Sequence, residues 1–232
     1  MNDIKIFTAF HKEFQIPKDD FHIPIHVWKA LSNIELPYEW DNTWDNISKK
    51  NSNYCELTML YWVWKNYKIG DNDYVGLAHY RRLFDVNTLK DIYRYDIIVP
   101  KKHLLTSFTT HISLESQYKL VHIPEDFDLM KDILYSKYPE YKNYDYIFSK
   151  QHLFYLRWYF YNMFIMRYKL FLEYSERLFN ILFEVENKIK ISSNSYQARV
   201  FWFMWERLFN IYMEKKRCEG YKIAEKNILI IK

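Results

Sequence analysis

The sequence predicts an α/β protein built on a mixed sheet flanked by helices. Three observations lead there. Short apolar runs of strand length recur at Ile4–Phe10, in the first half of Asp73–Phe84, at Asp96–Pro100 and at Asn162–Met166. Amphipathic runs of helical length lie between and after them. Polar and basic residues stand where several of these strands should end, which is where open α/β sheets bind their ligands. The length suits one domain over residues 1–232, with enough chain to bury a substantial core.

Taken in order, Ile4–Phe10 is a first strand ending in His11-Lys12, which is either placed to meet a nucleotide or a loop His beside a solvated Lys. Asp19–Val27 alternates around Pro24 and reads as an irregular or edge strand. Its His22 and His26, with Asp19 and Asp20, lack a spacing that would enforce a metal site. Leu36–Asn53 is polar and turn-rich, a loop able to cover a site. A helix is expected over Tyr54–Lys68, capped by Asn53 with Glu56 as the third residue of a capping box, and with Leu57, Leu60, Tyr61 and Trp64 as its core stripe. Gly70 stops it. Further helices are expected over Phe127–Tyr138, opened by Pro124, over Lys169–Lys188 and over Tyr196–Lys215. A weak helical pattern covers Thr106–Tyr118, and Tyr221–Ile231 reads as one last strand.

Composition narrows the classes. Nearly half the residues are apolar and a fifth are aromatic, with only three Gly, so the chain is globular. Two cysteines, Cys55 and Cys218, are too few for a disulfide framework or a zinc site and point to a reducing compartment. The start has no signal-peptide pattern, and no uncharged apolar run approaches the roughly 20 residues that span a bilayer. The expectation is a cytoplasmic protein, soluble or peripherally attached to a membrane. The net charge of +4 is dispersed and no nucleic-acid recognition motif is present.

The chemistry concentrates at His79-Tyr80-Arg81-Arg82. Two adjacent guanidinium groups at a strand end suit a phosphate or diphosphate, because the Arg fork matches phosphate oxygens and keeps its charge. A solvated basic turn is the plainer reading. Asp71-Asn72-Asp73 looks like an Asp-X-Asp metal motif but precedes its strand, whereas such carboxylates follow one; fixed positive charge after the strand would do the metal's work. Glu206, among aromatics, is either an acid/base group or the partner of Arg207 or Arg199. Asn162, opening a buried strand, needs hydrogen-bond partners, from neighbouring backbone or a sugar hydroxyl.

Gly76-Leu77-Ala78-His79-Tyr80-Arg81-Arg82-Leu83-Phe84 resembles the signature of a bacterial glycosyltransferase family found in capsule, exopolysaccharide and O-antigen gene clusters. That family was long catalogued as a domain of unknown function, and its members with an assigned activity are galactofuranosyltransferases. The resemblance extends over most of the chain, through His11-Lys12, Asn46-Ile47-Ser48, Asn51, Tyr54-Cys55-Glu56-Leu57-Thr58, Tyr61-Trp62, Pro139-Glu140-Tyr141, Asn162-Met163, Arg199 and Glu206-Arg207. The aromatic Phe201–Trp205 stretch departs from it. The resemblance implies a single GT-A-like nucleotide-sugar-binding domain that transfers a sugar, with inversion, from UDP-galactofuranose to a growing polysaccharide or lipid-linked glycan at the cytoplasmic membrane face.

His11, Lys12, His79, Tyr80, Arg81 and Arg82 would then hold the donor diphosphate, Glu206 or, in reserve, Glu56 would act as base, and Asn51, Asn162 and Arg199 would contact substrate. No metal cofactor is expected. The competing reading is a non-catalytic nucleotide-sugar or carbohydrate-binding module of a polysaccharide biosynthesis assembly.

Overall fold

Ile4–Phe10 (β1) is a run of apolar residues interrupted only by Lys5 and Thr8, and all of it except Lys5 is buried. A strand covered on both faces is what a parallel α/β sheet requires of its central members. The computed structural model describes residues 3–15, 19–101, 103–105, 113–149 and 156–231. After β1 come β2 (His22–His26), β3 (Glu39–Trp40), α1 (Asn51–Tyr54), α2 (Leu57–Asn66), β4 (Tyr74–His79), β5 (Arg82–Phe84), β6 (Ile97–Pro100) and β7 (His103–Leu105). The chain continues through α3 (Leu114–Val121), α4 (Pro124–Lys137), α5 (Tyr146–Ser149), β8 (Leu156–Trp158), β9 (Phe164–Arg167), α6 (Tyr168–Glu186), α7 (Val200–Cys218), β10 (Ile223–Lys226) and β11 (Ile228–Ile230).

These elements gather into two units. The first comprises Met1–Lys101, Asn162–Ser175 and Tyr221–Lys232, and it contains a mixed sheet in the order β10-β6-β9-β4-β1-β2-β3. Strands β4, β1, β2 and β3 run parallel, so their carboxyl ends open on one edge. Strand β9 is antiparallel to both β4 and β6, which makes the sheet mixed. Gly76 sits where β1, β4 and β9 come closest: a Cβ there would lie 2.9 Å from Ile165 Cγ1 and 3.0 Å from the Phe164 carbonyl. Asp96 ties the far strands together, accepting from Arg167 Nε at 2.9 Å and from the Lys222 amide at 2.9 Å.

The second unit comprises Lys102–Tyr161 and Glu176–Gly220 and is mostly helical, with the two-stranded β7–β8 ladder. Pro124 opens α4, and Glu125 and Asp126 lie in its first turn, as helix-start chemistry demands. Helix α7 is the most enclosed. It buries Phe201, Met204, Trp205, Leu208 and Phe209, and also Glu206, Arg207 and Asn210 on its other faces. Helix α6, which belongs to the first unit up to Ser175, buries Leu170, Phe171, Tyr174, Leu178, Phe179 and Leu182 at helical spacing.

Four expectations are corrected. The Tyr54–Lys68 helix is two helices, α1 and α2, broken at Cys55, whose φ of 50° and ψ of −132° no helix allows. The break starts α2 at Leu57 and rotates Trp62, not Trp64, fully into the core. Asn162 does not open β9; it precedes it with φ 50°. Tyr221–Ile231 forms two strands, β10 parallel to β6 and β11 antiparallel to β5. The Thr106–Tyr118 pattern is helical from Leu114; its residues 106–112 lie outside the described residues.

Candidate functional site

The carboxyl ends of β1 and β4 are neighbours because the two strands pair in parallel register, Ala9 opposite His79. The Tyr80 amide extends the ladder by donating to Ala9 O at 3.2 Å. Chain leaving β1 as His11-Lys12 therefore meets chain leaving β4 as Tyr80-Arg81. The Tyr80 ring is the hub. His11 packs edge-on to it with centroids 5.0 Å apart, Arg81 lies over it at 5.0 Å, and Lys12 at 5.9 Å. Two cations sharing one ring are held close together without neutralising each other, which is a built preference for an anion. Arg81 is exposed, and its carbonyl accepts from the Ile231 amide at 2.9 Å, which fixes the turn it stands on. Arg82 opens β5 opposite His79, so the His-Tyr-Arg-Arg segment is a tight hairpin with Tyr80 and Arg81 at its turn.

His79 ends β4 nearly buried, and its Nδ1 lies 3.4 Å from Glu56 Oε1. The capping-box role expected for Glu56 is overturned. Asn53 lies inside α1 and so does not cap the helix, and Glu56 stands at the N-cap of α2 with no side-chain cap hydrogen bond to that helix; with the helix broken at Cys55, its carboxylate lies beside the strand end. The His11 ring has its pKa lowered, first by the packing that partly desolvates it; Glu56 pulls it up, and Lys12 and Arg81 push it down. His11, Lys12, Glu56 and Arg81 thus form one electrostatic cluster, with His79 joined through Glu56.

His26 belongs to the same edge. It ends β2, is 0% exposed, and has its pKa lowered by burial and by Lys29 and His11, against the pull of Asp41. Neither ring nitrogen has a hydrogen-bond partner among the described residues. In the sequence His26 stands out only with His22, Asp19 and Asp20, as a metal set that no spacing enforces. His22 is instead at the other end of β2, its Nδ1 2.8 Å from Asp19 Oδ2. Among the described residues no three His, Cys, Asp or Glu side chains converge as a metal-binding set. Asp73 is occupied at the amino end of β4, accepting from the Asp3 amide at 2.7 Å and the Gly70 amide at 2.9 Å.

Asn162 also comes to this edge. Antiparallel pairing sets Phe164 opposite Leu77, and Asn162, two positions earlier, lies toward the end of the sheet where β4 delivers His79. It is 1% exposed, and neither its Oδ1 nor its Nδ2 has a partner among the described residues. Asn51 is differently placed from what substrate contact requires: its Nδ2 donates to Cys55 O at 2.8 Å and to Thr58 Oγ1 at 2.9 Å. The non-glycine residues at positive φ among those described are Trp28, Trp44, Cys55 and Asn162. All follow parallel strands β2 and β3, flank Glu56 or precede antiparallel β9. Backbone strain of this kind gathers at functional sites.

Glu206 and Arg199 lie in the second unit. Glu206 Oε2 accepts from Arg207 Nη1 at 2.7 Å, and Arg207 also donates to Phe203 O and Gln117 Oε1 while lying 4.9 Å over the Tyr118 ring. Burial lowers the pKa of Arg207, against the pull of Glu206. Such a pair commits both charges to each other. Arg199 is the N-cap residue of α7, with its guanidinium over Trp202 at 4.9 Å.

A family model described as a domain of unknown function (DUF4422) matches residues 5–217. No curated protein matches the chain. A solved structure described as the apo form of the WbbM bifunctional glycosyltransferase is similar to it with a TM-score of 0.86 and 32% identity, over 99% of this chain and 45% of that one. This chain therefore spans less than half the length of that protein.

Proposed function

The chain belongs to the DUF4422 family, and from that premise we propose that it is a glycosyltransferase domain, residues 1–232, of the GT-A kind. It moves a sugar from a nucleotide donor onto a growing cell-surface polysaccharide or lipid-linked glycan. UDP-galactofuranose with inversion at the anomeric carbon is the specific donor reading. The likeness to a bifunctional glycosyltransferase supports the reaction class, and the observation that carries the site is the gathering of Lys12, Arg81 and His11 around Tyr80 beside the Glu56–His79 pair.

An inverting transfer needs two things: a base for the acceptor hydroxyl and stabilisation of the departing diphosphate. Arg81 and Lys12 supply fixed positive charge for the diphosphate, with Arg82, Tyr80 and His11 completing its pocket. Charge that is permanent and pre-positioned costs no reorganisation as the bond breaks. This makes the transfer metal-independent. Glu56 is the better base: it is half-buried and coupled to His79, whereas Glu206 is held by Arg207. The acceptor oxygen attacks the anomeric carbon, its proton passes to Glu56, and the glycosidic C–O bond electrons leave with UDP. The unsatisfied Asn162 amide suits a sugar hydroxyl.

The test is calorimetric titration of UDP into the protein in EDTA. Wild type should bind, and Arg81→Ala should bind at least about tenfold more weakly, the cost of one charge-assisted contact. Binding that appears only with manganese, or that ignores Arg81, would overturn this phosphate site.

A further inference from the structure

We infer that Asn51, Thr58 and Asp41 are positioning residues that aim Glu56 at His79; the inference rests on the reading of Glu56 as the base. The chain of contacts begins at Asp41, fully buried just past the end of β3. Asp41 Oδ2 accepts from Thr58 Oγ1 at 2.6 Å and from the Trp28 amide at 3.1 Å, while Oδ1 accepts from Ser48 Oγ at 2.6 Å and the Lys29 amide at 3.2 Å. The carboxylate thereby anchors the loops leaving β2 and β3 to the first turn of α2. Thr58 in turn accepts from Asn51 Nδ2 at 2.9 Å, and the same Nδ2 donates to Cys55 O at 2.8 Å. The Cys55 amide donates to Asn51 O at 2.7 Å. Both ends of the strained Cys55 peptide are therefore held by Asn51, and Asn51 is held through Thr58 by a buried charge.

The residue after that kink is Glu56. With a regular helix through Cys55 the Glu56 side chain would project along a helix face; the kink instead makes Glu56 the N-cap residue of α2, and its carboxylate lies 3.4 Å from His79 Nδ1 at the end of β4. A left-handed cysteine costs about 1–3 kcal/mol, so the conformation persists only while its surroundings hold it. The Asp41–Thr58–Asn51 chain is the holding device. None of the three touches His79 or the cations around Tyr80 in the contacts described, so their effect on catalysis runs through Glu56.

The experiment compares wild type, Thr58→Val and Thr58→Ser. Valine keeps the shape and removes the hydroxyl; serine restores it. Three quantities are read: UDP affinity, kcat for UDP release from UDP-galactofuranose, and the His11 imidazole titration by NMR, since the Glu56 carboxylate raises the His11 pKa. Thr58→Val should lower kcat on the order of 10- to 100-fold, the cost of a misplaced catalytic group, and leave the UDP Kd within about twofold. It should move the His11 titration to lower pH in the same direction as Glu56→Gln does, and Thr58→Ser should restore both. Equal losses of kcat and UDP affinity, or a His11 titration that stays at its wild-type position in Thr58→Val, would overturn the inference.

Should wild type release no UDP from any donor, the transferase reading fails while the His11 titration still decides whether this chain aims Glu56. If Thr58→Val does not fold, Asn51→Ala, at a half-buried position, carries the same comparison.

Discussion

Asn162→Gly separates what stabilises the fold from what serves a ligand. In wild type the side chain is 1% exposed, has no partner for either polar atom among the described residues, and stands at φ 50°. A buried polar group left unpaired costs about 1–3 kcal/mol. Glycine removes that cost and adopts the left-handed backbone freely, but its larger unfolded-state freedom returns about 0.5–1 kcal/mol. The net expectation is a gain of about 1–2 kcal/mol. At about 2–4 °C per kcal/mol for a chain of this size, Tm should rise by about 2–8 °C. If the amide serves a sugar hydroxyl, donor affinity should fall about fivefold or more, one neutral hydrogen bond, while UDP without its sugar binds as before. Thermal unfolding and calorimetry with UDP and UDP-galactofuranose read both. A Tm that falls, or a loss shared equally by UDP and the UDP-sugar, would refute the reasoning, since the amide would then be a structural bond or a diphosphate contact.

Further predictions follow from the same geometry. Cys55→Gly should relieve the φ of 50° at the kink and raise Tm by about 2–4 °C; differential scanning calorimetry checks it, and a lower Tm would mean that the cysteine side chain matters more than the backbone. In the second unit, His122 stacks on Phe203 with centroids 3.7 Å apart, and burial and then Arg207 lower its pKa to about 4. A histidine held neutral in the folded state binds fewer protons there than when unfolded, so it takes stability away as pH falls from about 6.5 toward 4. Asp126, whose pKa burial raises to about 6, acts oppositely, its contribution being lost as pH rises from about 4 to 6. His122→Phe should therefore flatten the acid-side fall of Tm between pH 7 and 5, and an unchanged slope would argue against the buried neutral imidazole.

The sequence was most legible where burial and periodicity coincide. Strand β1 has the predicted bounds, Ile4–Phe10, because an apolar run with polar ends admits few alternatives. The helices expected over Lys169–Lys188 and Tyr196–Lys215 followed for the same reason, as α6 and α7. The site was legible as far as neighbouring residues carry it: His11-Lys12 and His79 to Arg82 do lie at adjacent strand ends. What escaped depends on contacts between distant segments. Glu56 fits a capping box on local chemistry, and its place beside His79 goes with the break at Cys55, where Asn51 and Thr58, residues on either side of it, are hydrogen-bonded. His26 gave one signal, a histidine at the end of a strand, but its burial beside β1 required the sheet order. Glu206 was balanced between catalysis and pairing, and the structure shows the pairing side of that balance in its contact with Arg207.

The most direct test of the account is UDP release from UDP-galactofuranose by wild type and by Glu56→Gln, in the presence of a panel of glycan acceptors and with UDP affinity measured alongside. The account predicts acceptor-dependent turnover in wild type. It predicts a loss of about 10²–10⁴ in kcat for Glu56→Gln, the worth of a general base, with UDP binding retained. Turnover by Glu56→Gln within about threefold of wild type, against that expectation, would contradict the assignment of the base and with it the site proposed at the ends of β1 and β4.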